Sequence, residues 1–136
     1  MAQLGKPDAT GRSSGKRTGR IGKAHGPPKD EPWVWLTREL VSSPAWRSRS
    51  INCARLIDFL VVENMNHAGL ENGNLKATYD QLVAWGLTRS EIRGAIEEAN
   101  FFGLVRFRRG GLMEKTNRPS TYRLTFYADR DGGPAT

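Results

Sequence analysis

The sequence contains a single cysteine, Cys53, which excludes an internal disulfide and any cysteine-based zinc cluster within one chain. Cys53 is surrounded by Ile51, Ala54 and Leu56, so we interpret it as a small buried hydrophobic residue. A thiol without a disulfide partner is typical of a reducing compartment, and we expect a cytoplasmic protein.

Long apolar runs are also missing. No segment approaches the ~18 apolar residues of a membrane span, and the N-terminal region lacks the apolar centre of a secretion signal. We therefore expect a soluble protein that has no membrane partner.

Groups that support catalysis or metal binding are sparse. The two histidines, His25 and His67, lie far apart in the sequence, and neither belongs to a cluster of metal-ligating residues. Gly15-Lys16 resembles the end of a phosphate-binding loop, but no apolar strand precedes it and Arg17 stands where the motif needs Ser or Thr. No nucleophile and base combination is recognisable either. We expect no enzymatic activity, no cofactor and no small-molecule substrate.

Positive charge is what the chain has in excess. Its 136 residues include 21 Lys or Arg against 14 Asp or Glu, which gives a net charge of +7 and a pI near 10.1. This balance favours a polyanionic partner without choosing between polyanions.

Residues 1–32 combine Gly, Ser, Thr and Pro with seven basic residues, and they have little to bury. Such a segment cannot offset its ordering entropy, so we expect a disordered basic arm. Two interpretations stay open: an arm that contacts phosphates or a minor groove, and a solubilising leader with no specific role. In the first interpretation the contacting residues are Arg12, Lys16, Arg17, Arg20 and Lys23.

From Trp33 the composition becomes apolar, and we expect a folded domain over 33–128 followed by a flexible C-terminus, 129–136. Thr37 and Ser43 are suitable N-caps for two short helices. We expect the tryptophans of this segment to pack on the next helix, although an aromatic base-stacking surface is the alternative. These tryptophans are Trp33, Trp35 and Trp46.

Ser50 is the N-cap of a predicted long helix from Ile51 to about His67. Its apolar residues span well over half of the helical circumference, which is wider than a one-sided surface helix requires. We expect cover on two sides, by the following helices on one and by the tryptophan segment or a second subunit on the other. Phe59 and Val62 fall on the otherwise polar side.

The stretch 78–103 predicts two short helices separated by a break at Trp85-Gly86-Leu87. Thr78 caps the first, which places Leu82 and Val83 on one face. Thr88 followed by Glu91 has the spacing of a capping box, and it predicts a second helix over 89–102 that ends at Gly103. Two short helices joined by a tight turn containing Gly indicate a helix-turn-helix.

After Gly103 the pattern alternates. Val105 and Phe107 are expected to face inward and Arg106 and Arg108 outward. A second run has Tyr122, Leu124 and Phe126 inward, with Arg123 and Thr125 outward. Together these runs predict a half-buried β-hairpin whose long polar loop spans 110–121.

A helix, a short extended piece, a helix-turn-helix and a hairpin with a basic tip resemble a winged helix-turn-helix domain of the α+β class. The segments that carry the resemblance are Tyr79-Asp80-Gln81-Leu82, Trp85-Gly86-Leu87-Thr88-Arg89, Ile92 with Ala95-Ile96-Glu97, Phe102-Gly103-Leu104-Val105 and Pro119-Ser120-Thr121-Tyr122-Arg123-Leu124. The pattern is similar to small bacterial DNA-binding proteins of phages, plasmids and integrated elements. It implies three core helices, a C-terminal wing and double-stranded DNA as the partner, in a transcriptional regulator or a replication or excision factor.

The second helix of the pair would then read DNA. By wheel angle it presents Arg89, Ser90, Arg93, Gly94 and Glu97 outward. Arg89 and Arg93 are candidates for guanine contacts through the bidentate fork, with ordinary solvated cations as the alternative. Gly94 is costly in a helix interior and indicates close approach to DNA or to a neighbouring helix. The acidic pair Glu97 and Glu98 makes the second half of this helix unfavourable for deep insertion.

The expected wing contributes phosphate contacts and salt dependence rather than sequence choice. Its cations are Arg106, Arg108, Arg109, Lys115, Arg118 and Arg123.

Two other functions compete with this interpretation. The first is a winged-helix module that binds a protein, such as a replication or conjugation component, through exposed Phe59, Val62 and Phe101. The second is binding of single-stranded nucleic acid or RNA through the arm and the tryptophans. A homodimer is compatible with the wide apolar arc of the long helix.

Overall fold

The first helices begin where capping chemistry predicts. In the computed structural model, the side-chain oxygens of Thr37, Ser43 and Ser50 each accept a hydrogen bond from the backbone N–H three residues later, at 3.1, 3.2 and 3.2 Å. These caps start α1 (Arg38–Ser42), α2 (Pro44–Arg47) and α3 (Ile51–Asn66). The structure describes residues 26, 29–113 and 116–128, without the side chains of 111–113 and 116–118. Pro32–Thr136 forms one compact unit.

The remaining elements give the fold its α+β character. They are α4 (Tyr79–Trp85), a 3₁₀ turn (Arg89–Glu91), α5 (Ile92–Phe101) and the strands β1 (Val105–Arg108), β2 (Gly111–Met113), β3 (Thr116–Arg118) and β4 (Thr121–Leu124). Gly103 ends the last helix with φ at 74°, as expected for a left-handed cap. Among the residues that the structure describes, no helix has both the length and the apolar content needed to cross a bilayer.

The C-terminal hairpin is antiparallel. β1 pairs with β4, with Val105 opposite Leu124 and Phe107 opposite Tyr122 on the inner face. The predicted loop at 110–121 is wrong in part, because β2 and β3 also pair within it. β2 has two adjacent apolar residues after a glycine and β3 is wholly polar, so neither gives an alternating hydrophobic signal and the sequence pattern does not show them.

The predicted extended piece before α4 joins this sheet. The Tyr122 N–H donates to the Leu75 carbonyl at 2.8 Å, and the Leu75 N–H donates back to the Tyr122 carbonyl at 3.3 Å. Leu75 is 1% exposed. The bridge therefore places the chain entering α4 beside β4, on the edge opposite β1.

The core is centred on α3. Cys53, Leu56, Ile57 and Leu60 are fully buried, which confirms the prediction for the cysteine. Residues of α4, α5 and the sheet cover one side, and Leu40, Ala45 and Trp46 pack against the core from the preceding segment. The expected cover does not reach the helix start, where Ile51 is 64% exposed. Val83 is also exposed, unlike the buried Leu82.

The three N-terminal tryptophans have two different environments. Trp46 is half-buried and packs edge-on against Phe126, with ring centroids 5.6 Å apart. Trp33 and Trp35 contact each other edge-on at 5.0 Å and remain largely exposed. The packing prediction is therefore right for Trp46 and wrong for the other two. Trp35 is tied to the fold through its carbonyl, which accepts a hydrogen bond from the Tyr127 hydroxyl at 2.8 Å.

A buried asparagine organises the end of the hairpin. Asn72 has no exposed surface, and its side-chain oxygen accepts from the Leu124 N–H at 2.7 Å. Its amide nitrogen lies 2.9, 3.2 and 3.0 Å from the carbonyl oxygens of Leu124, Tyr127 and Ala128. The Asn72 side chain thus provides hydrogen-bond partners for backbone groups at the end of β4 and just after it, where strand pairing stops.

Thr125 is a second buried polar group in this region, and the prediction that it faces outward is wrong. It is 3% exposed, and its hydroxyl lies 2.6 Å from the Gly103 carbonyl oxygen and 3.0 Å from that of Leu104. The chain leaves the sheet at Leu124, so the alternation no longer applies.

Candidate nucleic-acid interface

The turn between α4 and α5 is fixed from both sides. Thr78 and Gln81 form a complete capping box at the start of α4, with bonds of 3.1 and 3.0 Å. Gly86 ends α4 with φ at 123°, a conformation that favours glycine. Arg55 of α3 donates to the Gly86 carbonyl at 2.7 Å. The orientation of the following residues is therefore set by α3.

The capping box predicted at Thr88 and Glu91 does not form. In a capping box the Glu91 N–H would donate to the Thr88 hydroxyl, but here it donates to the Thr88 carbonyl at 2.9 Å. The Thr88 N–H would donate to the Glu91 carboxylate, but here it donates to the Asn52 side-chain oxygen at 3.4 Å. Both donors have other partners, so residues 89–91 form a 3₁₀ turn and the α-helix begins at Ile92.

The two faces of α5 are divided as the helical wheel predicts. Ile92, Ala95, Ile96 and Ala99 are buried, and Phe102 is half-buried against the same core. The outward residues of this helix and the 3₁₀ turn are all exposed: Arg89, Ser90, Arg93, Gly94, Glu97, Asn100 and Phe101.

Both candidate base-reading arginines are paired with carboxylates. Arg89 contacts Asp80 of α4, and the Arg93 Nε lies 3.2 Å from Glu97 Oε1. The Arg93 and Glu97 side chains are 76% and 68% exposed, and those of Arg89 and Asp80 are 57% and 89% exposed. Solvated pairs of this kind contribute little stability. An incoming anion or base edge can therefore replace the carboxylate at small cost.

Gly94 has no intramolecular reason to be glycine. A Cβ placed there would meet no atom within 4 Å, which excludes close packing on a neighbouring helix. Glycine in a helix interior costs about 1 kcal/mol relative to alanine. Of the two explanations that the sequence leaves open, close packing on a neighbouring helix is wrong, and close approach to DNA stays a prediction.

Glu98 does not belong to the outward face. It is half-buried, and its carboxylate accepts the Ser50 N–H at 2.7 Å, at the start of α3. Burial raises the pKa of the Cys53 thiol to about 12, and the hydrogen bond and negative charge of Glu98 add to that rise. Of the acidic pair expected to disfavour deep insertion, Glu97 faces out and Glu98 is turned toward α3.

The outer face of the β1–β4 pair is cationic. Arg106 lies directly opposite Arg123 in the register, and Arg108 follows on the same face opposite Thr121. Arg106, Arg108 and Arg109 are exposed and Arg123 is half-buried. The Arg106 guanidinium also donates to the Asn100 carbonyl at 3.4 Å, which places this cation beside the C-terminal end of α5.

Some predicted contact residues lie outside the described part of the molecule. These are Lys115 of the wing and Arg12, Lys16, Arg17, Arg20 and Lys23 of the arm, together with the predicted flexible segment 129–136. Arg118 lies in β3, opposite Gly111, and only its backbone is described.

The structure divides the three residues expected to form a partner surface. Phe59 is half-buried and packs edge-on against Trp85 with centroids 5.6 Å apart. Val62 is half-buried as well, whereas Phe101 is 84% exposed. Phe59 therefore belongs to the packing between α3 and α4, and the expected exposure holds only for Phe101.

Sequence reasoning missed the residues that hold this site in place. Asn52 and Arg55 contact the turn from α3, more than 30 residues earlier in the chain, and Asp80 of α4 contacts Arg89 at the start of the second helix. Their only signal in the sequence is a polar side chain on a helix, which is also the pattern of an ordinary solvated surface.

Comparisons with protein-family models, with curated proteins and with solved structures gave no match for this chain.

Proposed function

We propose that this protein binds double-stranded DNA as a winged helix-turn-helix, with α5 in the major groove and the hairpin on the phosphate backbone. The order of the elements supports this: α3, the bridge at Leu75, α4, the tight turn, α5 and a hairpin. The proposed role is a transcriptional regulator or a replication or excision factor of a mobile element, acting in the cytoplasm.

The observation that carries the proposal is the direct opposition of Arg106 and Arg123 across the hairpin, with Arg108 next to them. Like charges on directly opposed residues destabilise an antiparallel pair. The three arginines concentrate positive charge on one face of the hairpin, which a polyanion would complement. Phosphates spaced along a nucleic-acid backbone have that charge density.

The exposed face of α5 favours a duplex over a single strand. A helix fits the major groove, where arginine reads guanine through two parallel hydrogen bonds. Arg89 and Arg93 lie at the N-terminal side of this face, which is the end that contacts base edges in helix-turn-helix proteins. The open space at Gly94 permits the close approach that base reading requires.

The first test concerns the cationic hairpin face. Purified wild-type protein and an Arg106→Ala/Arg108→Ala variant, which removes two exposed arginines of this face, are titrated with duplexes of random and of selected sequence at several salt concentrations. We expect the variant to lose at least tenfold in affinity for every duplex. The slope of log affinity against log salt should fall by about 2, because roughly one counterion is released per neutralised phosphate.

Arg38→Ala/Arg47→Ala is the matched control, because it removes two exposed arginines from α1 and α2. This control should keep the wild-type affinity for duplex DNA, and its slope of log affinity against log salt should be steeper than that of the hairpin variant. An equal loss in both double variants would show that only net charge matters. Absence of duplex binding by the wild type near physiological salt would refute the proposal.

The second test concerns sequence choice. Arg93→Ala should reduce the ratio of specific to non-specific affinity by about tenfold, since a good bidentate base contact contributes about 1–3 kcal/mol of discrimination. The site is first selected from random duplexes. A ratio that is unchanged in Arg93→Ala would remove α5 from the reading role while leaving the hairpin result intact.

A protein-interaction module is the second candidate, and the exposure of Trp35 at 69% supports it. The titrations separate the two functions. A wild-type chain that is folded and binds no duplex, single strand or RNA would favour the protein-binding function.

A further inference from the structure

We propose that Phe101 is a specificity-determining residue whose phenyl ring contacts the C5-methyl group of thymine in the major groove. This inference rests on the proposed function and names a feature of the DNA that α5 would read beyond guanine.

The exposure of Phe101 is unusual for its size. At 84% it is the most exposed large hydrophobic side chain in the described residues, ahead of Leu70 at 70% and Trp35 at 69%. The ring contacts Phe102 edge-on with centroids 5.7 Å apart, and Phe102 is anchored in the core. The exposed ring is therefore held against a fixed neighbour.

Phe101 lies in line with the reading face. Ser90, Gly94, Glu97 and Phe101 recur at spacings of four, three and four residues, so they follow one line along the outer face of α5 and the preceding turn. Seven residues separate Gly94 from Phe101, which corresponds to about 10 Å at 1.5 Å per residue. That length covers about three base pairs at 3.4 Å each. The helix can therefore place Arg93 on one base pair and Phe101 on another.

The chemistry of this end of the helix favours an apolar contact with a base. The acidic pair was expected to oppose deep insertion of this half of the helix, but Glu98 is turned toward α3, and a methyl group that protrudes into the groove needs only a shallow approach by the phenyl ring. Glu97 faces out one turn before Phe101, so a phosphate is disfavoured there. The thymine methyl is the apolar group that the base pairs present in the major groove, and phenylalanine is one of the side chains that contact it.

A protein partner fits the same surface less well. The neighbours of Phe101 on the outer face are Glu97 and Asn100, both exposed and polar. Protein docking surfaces combine several apolar residues into a continuous patch. A single ring between polar residues is suited to a target as small as one methyl group.

The experiment compares two DNA probes that differ only in that methyl group. The duplex selected from random sequences is compared with the same duplex in which every dT is replaced by deoxyuridine, at fixed salt. We expect wild-type protein to bind the thymine duplex about fourfold more tightly for each methyl contacted, from the transfer energy of one buried carbon. The Phe101→Ala variant should bind both duplexes equally, and Phe101→Leu should keep part of the preference.

Trp35→Ala is the matched control, because it removes another exposed aromatic ring, outside α5. It should keep the full preference for thymine. Thermal unfolding of Phe101→Ala should match the wild type, since the ring is almost entirely exposed.

The outcomes separate this inference from the proposed function. Equal, salt-dependent binding of both duplexes by the wild type overturns the role of Phe101 and leaves DNA binding in place. A preference that persists in Phe101→Ala also overturns it. Binding to neither duplex overturns both. Sedimentation measures whether the ring contacts a second copy of the protein. If Phe101→Ala converts an oligomer to a monomer and leaves the methyl preference unchanged, the ring makes a protein contact and the inference is overturned.

Discussion

Glu97 and Glu98 are adjacent in the sequence and identical in chemistry, and the fold uses them in opposite ways. Glu98 is half-buried and accepts the N–H of Ser50, the N-cap residue of α3, at 2.7 Å. Glu97 is 68% exposed and contacts an arginine one turn away on its own helix. The 100° between neighbours on a helix separates a group that holds the start of α3 in place from a group that faces solvent.

The same division runs through the whole unit. Interior polar groups such as Asn72 and Thr125 have several short hydrogen bonds to backbone atoms. Outward polar groups such as Arg89 and Arg93 have one solvated partner each among the described contacts. Substitutions of the first kind should change stability, and substitutions of the second kind should change binding. Four measurements can break or sharpen this contrast.

The largest effect is expected for Asn72→Ala. The substitution leaves the buried Leu124 N–H and up to three carbonyl oxygens without their partner, and it should lower the free energy of unfolding by about 3 kcal/mol. Urea denaturation followed by circular dichroism measures it. Asn74→Ala, which removes only a side-chain contact with Glu71, is the control and should change stability by less than about 0.5 kcal/mol. Similar values for both would show that Asn72 is not a structural centre.

Alkaline pH should also act on the interior. Burial raises the pKa of Cys53 from 9.0 to about 12, and that of Tyr122 from 10.0 to about 12. The folded state therefore binds these protons more tightly, and the stability they contribute is complete below pH 9 and is lost as the pH rises toward 12. Between pH 8 and pH 10.5 we expect a loss of about 2 kcal/mol from Cys53 alone.

The Cys53→Ala variant tests this assignment. Denaturation curves at each pH should show a shallower decline for the variant, whatever its stability at pH 8. A wild-type stability that is constant up to pH 10.5 would show that the thiol does not titrate with folding.

The two glutamates can be compared directly. Glu98→Ala should lower the free energy of unfolding by about 2 kcal/mol, because a charge-assisted hydrogen bond to the start of α3 is lost. Glu97→Ala should change it by less than about 0.5 kcal/mol, as expected for a solvated pair. The thiol of Glu98→Ala should also have a lower pKa, measurable from the ultraviolet absorbance of the thiolate against pH. Equal destabilisation by the two variants would contradict the division of α5 into two faces.

The smallest expected effect separates the two threonines that precede helices. Thr78→Ala removes a formed capping box and should cost about 1 kcal/mol. Thr88→Ala removes no side-chain cap and should cost less than about 0.3 kcal/mol on the same scale. Both are measured by thermal unfolding. A larger cost at Thr88 would mean that the predicted box forms in solution.

The sequence predicts whatever depends on near neighbours. Ser50, Thr78 and Gly86 act within one turn of their helices, and the buried and exposed faces of α5 follow from its period. The sequence does not predict what a distant residue decides. The Thr88 N–H bonds to Asn52, 36 residues earlier, and Asn72 finds its partner at Leu124, 52 residues later. In both cases the local pattern allows the contact that forms and others that do not.

The hydrogen bond between the Tyr127 hydroxyl and the Trp35 carbonyl joins the segment before α1 to the segment after β4. Domains whose ends meet tolerate circular permutation and insertion into a loop of another protein. Residues 35–127 can therefore be grafted as a cassette through two adjacent junctions. The host loop would need to open by about the reach of one tyrosine side chain and its hydrogen bond.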